Sequence, residues 1–160
     1  MRTVTLGTGP DGNTLLASGG YDGSIRLWDW HTKQPVHSPL SDTLLPRVLA
    51  CGTISSDRCL VATGDDQGFV RLLDPVSGEQ FAELPRGRRS PVQALSFSTT
   101  ADGHLLILSA GSVWLQLWDV TAATTPVTLR RRSEVRAIAA DGTTLAIGDS
   151  EGVSVLAFHG

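Results

Sequence analysis

The chain has 160 residues, 41% of them apolar, and a formal net charge of −3 at pH 7. This length and composition favour one globular domain with a buried core over a disordered segment. The acidic balance excludes the strongly basic domain typical of nucleic-acid binding, and no apolar run approaches the roughly 18 residues that a membrane span needs. We therefore expect a cytoplasmic protein that contacts no membrane.

The first element raises the question of a nucleotide site. The stretch "GTGPDG" (7–12) fits the G-x-G-x-x-G pattern that binds dinucleotide phosphates at the start of a helix. Gly19, Gly20 and Gly23 follow this stretch and disfavour a helix. Residues 24–29 then alternate apolar and polar side chains with the period of a strand. The required helix is missing, so we interpret 10–12 as a tight turn between strands, attribute Gly7 and Gly9 to chance, and expect no cofactor.

Internal repetition is the strongest feature of the sequence. The stretches "LASGGYDGSIRLWDW", "VATGDDQGFVRLLDP", "ILSAGSVWLQLWDV" and "LAIGDSEGVSVLAF" can be aligned with one another. Trp28, Leu73, Trp118 and Ala157 then share one column, at spacings of 45, 45 and 39 residues. Such a period is that of a four-stranded propeller blade, so the sequence predicts an all-β array of four blades. The approximate blade ranges are 1–40, 41–85, 86–129 and 130–160.

The aligned residues resemble the blades of the WD-repeat β-propeller family. Blades of that family end in a Trp-Asp dipeptide and carry an Asp-Gly turn a few residues earlier. The residues that match the pattern wholly or in part are Trp28-Asp29, Trp118-Asp119, Leu73-Asp74, Asp22-Gly23 and Asp66-x-Gly68. The family also has a short turn between the first two strands of each blade. "GPDG", "SSDR", "TADG" and "AADG" occupy that place, which accounts for Gly12.

The resemblance implies four antiparallel strands in each blade, ordered from the propeller axis outward. Inner strands are expected near 3–6, 47–51, 92–97 and 135–139, and outer strands near 35–37, 79–84 and 126–129. The last blade then lacks an outer strand. Because propellers of this family typically close with about seven or eight blades, we expect either a homodimer that closes an eight-bladed ring or further blades on a longer chain.

Residues that could support catalysis or metal binding form no recognisable constellation. Cys51 and Cys59 lack the C-x-x-C spacing of a zinc site, and the histidines fall on no shared repeat position. Neither G-x-S-x-G nor H-E-x-x-H occurs. We therefore expect a protein that is not an enzyme, binds no metal and keeps both thiols reduced.

The resemblance assigns structural roles to residues around the blade turns and the Trp column. In many family members a His, a Ser or Thr, the turn Asp and the Trp form one hydrogen-bonded set, but this chain lacks the Gly-His that supplies the His. Asp22 and Asp66 are therefore expected to accept hydrogen bonds from turn N–H groups. The predicted structural residues are Ser18, Asp22, Trp28, Asp29, Thr63, Asp66, Asp74, Trp118 and Asp119.

The resemblance also implies a non-catalytic scaffold that binds a protein or peptide on one loop rim. The predicted rim residues are Tyr21, Arg47, Asp65, Arg88, Arg89, Gln93, Arg131, Glu134 and Arg136. Arginine runs at 86–89 and 130–132 are either solvated loop charge or a cationic patch for an acidic or phosphate-bearing partner. Two alternatives stay open: polyanion or nucleic-acid binding through these runs, and a purely structural role as the C-terminal part of a larger regulatory protein.

Overall fold

The computed structural model describes residues 1–9, 11–41, 45–55, 58–84, 90–122 and 126–157. Their strands form four antiparallel sheets. The first sheet contains, in order, β1 (Thr3–Thr8), β2 (Thr14–Gly19), β3 (Ser24–Asp29) and β4 (Leu40–Ser41). The second contains β5 (Pro46–Ser55), β6 (Arg58–Asp65), β7 (Val70–Leu73) and β8 (Gln80–Leu84). The third contains β9 (Ala94–Thr99), β10 (Leu105–Gly111), β11 (Trp114–Asp119) and β12 (Val127–Arg130). The fourth contains β13 (Val135–Asp141), β14 (Thr144–Asp149) and β15 (Gly152–Ala157).

Each sheet is one blade, and the blades follow one another in chain order. The first strands of successive blades lie side by side: β1 contacts β5, β5 contacts β9, and β9 contacts β13. We number the blades 1 to 4. This arrangement confirms the predicted all-β fold built from antiparallel blades. Across the described ranges, no helix is long and apolar enough to cross a membrane.

The apolar core is divided among the three junctions between blades. Between blades 1 and 2 it consists of Ala17, Ile25, Leu27, Leu49, Val61 and Leu73. Between blades 2 and 3 it includes Ala50, Leu60, Ala62, Val70, Leu72, Val92, Leu95, Leu105, Ile107 and Trp118. Between blades 3 and 4 it includes Ala94, Leu108, Ala110, Leu115, Val135, Leu145 and Ile147. A single blade is too thin to bury its own apolar side chains, so each blade depends on its neighbours.

The β14–β15 hairpin corrects the sequence alignment in blade 4. Gly148 pairs with Val153, whereas the equivalent Gly19 of blade 1 pairs with Ile25, so the turn of blade 4 is one residue shorter. As a result, Leu156 lies opposite Leu145, as Trp28 lies opposite Leu16. Leu156, and not Ala157, therefore occupies the Trp column.

The outer strand of blade 1 also differs from the prediction. It is β4, whereas Pro35 forms only an isolated bridge with Trp28. Proline has no N–H to donate, which disfavours continued pairing near Pro35 and Pro39. The outer strands β8 and β12 lie where the repeats predict them.

The glycines of the first stretch have two structural reasons. Gly12 has a φ of +72° in the turn between β1 and β2, as Gly103 has a φ of +87° between β9 and β10. Gly7 was attributed to chance, but a Cβ there would overlap Cys51 of blade 2. A Cβ at Gly52, the equivalent position of blade 2, would overlap Phe97 of blade 3. These glycines allow neighbouring inner strands to approach closely.

Candidate partner-binding rim

Four residues occupy equivalent positions at the start of the first strand of each blade: Arg2, Arg47, Gln93 and Arg136. The Arg2 N–H donates to the Gly19 carbonyl and the Gln93 N–H to the Ala110 carbonyl, each at 2.7 Å. Arg47 and Arg136 are each the bulged residue where the register of the strand shifts. We call these four residues the rim column. In antiparallel blades, they lie on the same edge as the turns between second and third strands.

Asp66 links two members of the rim column. Arg2 of blade 1 donates to both carboxylate oxygens at 2.9 and 3.0 Å, and Arg47 donates to one of them at 2.7 Å. These hydrogen bonds, that from Arg2 above all, lower the pKa of Asp66. The expected hydrogen bonds to turn N–H groups are replaced by an ion pair between blades.

Asp65, expected on the exposed rim, is instead only 3% exposed. One of its carboxylate oxygens accepts hydrogen bonds from the Gln67 N–H at 2.7 Å and the Phe69 N–H at 3.0 Å. The other oxygen, like the Thr63 hydroxyl, is buried without a hydrogen-bond partner among the described residues. Asp65 therefore holds the turn of blade 2 and is not available to a partner.

Tyr21 is the most exposed aromatic side chain of the described rim, at 70%. The Arg2 guanidinium lies over its ring at 5.3 Å from the centroid, within the range of a cation–π interaction. Asp22 beside it accepts hydrogen bonds from the Ser24 hydroxyl at 2.7 Å and the Ser24 N–H at 3.2 Å. It also pairs with Arg26 at 3.0 Å. The Ser24 hydroxyl contributes most to the lowered pKa of Asp22.

The remaining predicted rim residues fall into four groups. Gln93 donates to the exposed Glu134 and links blades 3 and 4. Arg136 is exposed and makes no ion pair within the described part of the chain. Arg131 is not free for a partner, because it donates to Ser154 at 2.8 Å and to Asp149 at 3.3 Å. Arg88 and Arg89 lie outside the described residues.

The Asp that ends each of the first three blade patterns closes the turn to the outer strand. Asp29 accepts hydrogen bonds from the N–H groups of His31 and Thr32, both at 2.8 Å. Asp74 accepts from Val76 and Ser77 at 2.8 and 3.2 Å, and Asp119 accepts from Thr121 and Ala122 at 2.9 and 2.8 Å. This shared Asx-turn geometry gives the three residues a structural role.

The Trp column contributes packing rather than a hydrogen-bonded set. Trp118 is buried at 4% exposure, and its indole N–H has no partner among the described residues. Trp28 and Ser18 lie on the face of blade 1 that points away from blade 2.

Within the described ranges, no group of His, Cys, Asp and Glu could hold a metal ion.

Sequence reasoning missed Arg2 as a member of the rim. A signal was present, because Arg2 precedes Arg47 by the repeat period of 45 residues. Asp149 was also missed, although it stands at the turn position that Asp65 holds in blade 2. Burial and hydrogen bonding, which one sequence does not display, separate the two acidic residues Asp65 and Asp66.

Four-stranded antiparallel blades packed face to face define a β-propeller architecture. A model of the family described as "WD domain, G-beta repeat" matches residues 4–29, in blade 1. The computationally designed Ika4 protein has the same fold, with a TM-score of 0.72 at 22% identity over 99% of this chain and 91% of that chain. The RRP9 WD40 repeats give a TM-score of 0.71 at 20% identity, over 99% and 51%.

Curated relatives carry the same repeats. The ribosome biogenesis protein YTM1 of Phaeosphaeria nodorum is 31% identical over 124 residues, which are 72% of this chain and 24% of that protein. Periodic tryptophan protein 2 of Arabidopsis thaliana is 29% identical over 143 residues, 88% and 15% respectively. This chain thus spans a quarter or less of these relatives. It belongs to the WD-repeat β-propeller family.

Proposed function

We propose that the chain is a non-catalytic scaffold that binds a protein or peptide partner on the edge formed by the rim column and Tyr21. The observation that carries this proposal is the exposed Tyr21 ring, stacked on the Arg2 guanidinium, on the same edge of the blades as the exposed Arg136. Tyr and Arg are enriched among residues that dominate binding energy at protein interfaces. The exposed Arg136, which has no ion pair within the described part of the chain, favours a partner segment that carries carboxylates.

The curated relatives suggest where to look for the partner. One of them is named as a ribosome biogenesis protein, so we propose a protein of ribosome assembly as the first class to test. The two arginine runs support polyanion binding less well, because Arg131 is held by Asp149 and Ser154. Steep loss of binding with salt and no sequence preference would instead indicate that alternative.

The test is capture of a binding protein by the intact chain, followed by the variants Tyr21→Ala and Arg136→Ala. We expect each variant to retain less of the captured protein, because each removes a group that contacts the partner. Lys33→Ala is the matched control, since Lys33 lies in the turn after β3 at the opposite edge of blade 1. Variants that retain the protein as well as the control would contradict the proposed site.

We also propose that a second copy of the chain completes the propeller, so that two sets of four blades close one ring. Light scattering of the purified chain tests this point independently of any partner. The masses of the Tyr21→Ala and Arg136→Ala variants are also measured by light scattering, so that loss of partner binding is separated from loss of assembly.

A further inference from the structure

Blades 1 and 4 each present one face that packs on no other described blade. We call these two faces the end faces. The end face of blade 1 carries Val4, Leu6, Leu16, Ser18, Arg26 and Trp28. The end face of blade 4 carries Ala137, Ala139, Ala146, Gly148, Val153 and Val155. Strand pairing places each set on one side of its sheet, because directly paired residues point to the same face.

Both end faces repeat the pattern of the junction between blades 1 and 2. Strand register makes Val4, Leu16 and Trp28 equivalent to Leu49, Val61 and Leu73, which are blade 2's part of that core. Likewise, Ala146, Val153 and Val155 are equivalent to Ala17, Ile25 and Leu27, which are blade 1's part. The end face of blade 1 thus matches one side of a junction between blades, and the end face of blade 4 matches the other side. The two end faces are therefore complementary and not two copies of the same side.

Exposure separates the equivalent residues sharply. Val153 and Val155 are 77% and 65% exposed, whereas Ile25 and Leu27 are 0% and 1% exposed. Val4 is 51% exposed. Apolar side chains left in water at these positions would gain free energy if another blade covered them.

The two end faces also compensate for each other in size. Val153 and Val155 are each one methylene smaller than the Ile and Leu at the equivalent positions of blade 1. On the other end face, Trp28 is much larger than the equivalent Leu73. Close packing between blades requires such complementary volumes, since both cavities and overlaps are costly.

The ion pair between blades 1 and 2 has a polar counterpart beside the two end faces. Arg2 of blade 1 reaches the turn residue Asp66 of blade 2. In blade 4 the position of Arg2 is held by Arg136, and in blade 1 the position of Asp66 is held by Tyr21. A blade 4 packed on a blade 1 would therefore place a second guanidinium beside the Tyr21 ring, on which Arg2 already stacks.

We infer that the end face of blade 4 binds the end face of blade 1 in a second copy of this chain, with Val155 packing in one cluster with Leu16 and Trp28 of that copy. The same contact made twice closes a two-fold ring. This inference rests on the proposed two-copy ring and specifies its interface. It requires head-to-tail contact, in which each copy contributes one face to each junction.

Light scattering on the purified chain and its variants tests the interface. We expect the unaltered chain at micromolar concentration to have about twice the single-chain mass of 17.0 kDa. Val155→Asp should reduce it to the single-chain mass, because the charge would be buried without a partner. Val76→Asp is the matched control, since Val76 is 64% exposed on a turn away from both end faces, and it should keep the doubled mass.

Mixing two variants tests the head-to-tail direction. Leu16→Lys should also be monomeric, whereas an equimolar mixture of Leu16→Lys and Val155→Asp should recover the doubled mass, because one junction then joins Lys to Asp and the other is unaltered. Val4→Lys replaces Leu16→Lys if circular dichroism shows that the latter is unfolded. A monomeric unaltered chain, doubled mass in both single variants, or a mixture that stays monomeric would each overturn the inference. None of these outcomes depends on partner capture by the rim.

Discussion

Blades 2 and 3 differ from blades 1 and 4 in how many of their faces are buried. In β6 of blade 2, all positions after Arg58 are buried, and in β10 of blade 3 all but the last are. In β2 and β14, by contrast, buried residues alternate with less buried ones. The second strands of all four blades are nevertheless rich in apolar residues.

The difference shows that neighbours, rather than hydropathy, decide what a blade buries. Leu27 and Val155 stand at equivalent positions, yet one is 1% exposed and the other 65%. The apolar character of a repeat is therefore the same whether its face is covered or open. An open face of this kind marks a place for another blade.

The largest expected effect comes from truncating the covered member of this pair. Leu27→Ala should lower the free energy of unfolding by about 2–5 kcal/mol, because it leaves a cavity between blades 1 and 2. Val155→Ala should change it by no more than about 0.5 kcal/mol in the single chain. Urea unfolding measures both values, at protein concentrations too low for two copies to associate. Equal losses would contradict the difference in packing between the two faces.

A second comparison concerns the close approach of inner strands. Gly52→Ala should cost about 1–3 kcal/mol, because the new methyl group would overlap Phe97 of blade 3. Asp141 holds the equivalent position in blade 4, where no described blade follows. Asp141→Ala should therefore be nearly neutral in the single chain, as thermal unfolding would show. A large loss from Asp141→Ala and none from Gly52→Ala would reverse the expected order.

The sequence predicts the repeat architecture well because a Trp-Asp ending and turn glycines recur at a nearly constant period. It fails where one residue is inserted or lost: the shorter β14–β15 hairpin moves Leu156 into the column assigned to Ala157. It also fails where two like residues adjoin, since only the fold separates the buried Asp65 from the ion-paired Asp66. The partner and the cytoplasmic location stay predictions, because contacts within one chain show neither. The roles of Arg88 and Arg89 stay predictions because both residues lie outside the described residues.

A smaller effect is expected from the ion pair between blades 1 and 2. Asp66→Asn should cost at most about 1 kcal/mol, because the carboxylate is 40% exposed and its attraction to Arg2 and Arg47 is screened by water. The pKa of Asp66 is lowered in the folded chain, so its contribution is present above the ordinary carboxyl pKa and is lost as the pH falls through the folded value.

Asp22→Asn supplies the comparison within one blade, since Asp22 pairs with Arg26 there and its pKa is also lowered. Urea unfolding of both variants as a function of pH makes the comparison. If salt at high concentration left the cost of Asp66→Asn unchanged, attraction between charges would not be its cause.

The smallest effect separates blade 3 from blade 1 through one titrating side chain. His104 Nδ1 lies 2.7 Å from the Asp119 carboxylate, which raises the pKa of His104 above its ordinary value of 6.5. The residue that follows the equivalent turn glycine in blade 1 is Asn13, which does not titrate.

Since protonated His104 is favoured by folding, its contribution is complete below pH 6.5 and is lost as the pH rises through the raised pKa. His104→Asn should therefore remove a decline in stability above pH 6.5 that the unaltered chain shows, as thermal unfolding at a series of pH values would measure. The control is His31, which follows Asp29, the blade 1 equivalent of Asp119, and donates its backbone N–H to that carboxylate. His31→Asn should leave the decline in place. A decline that survives His104→Asn would assign the pH dependence to another group.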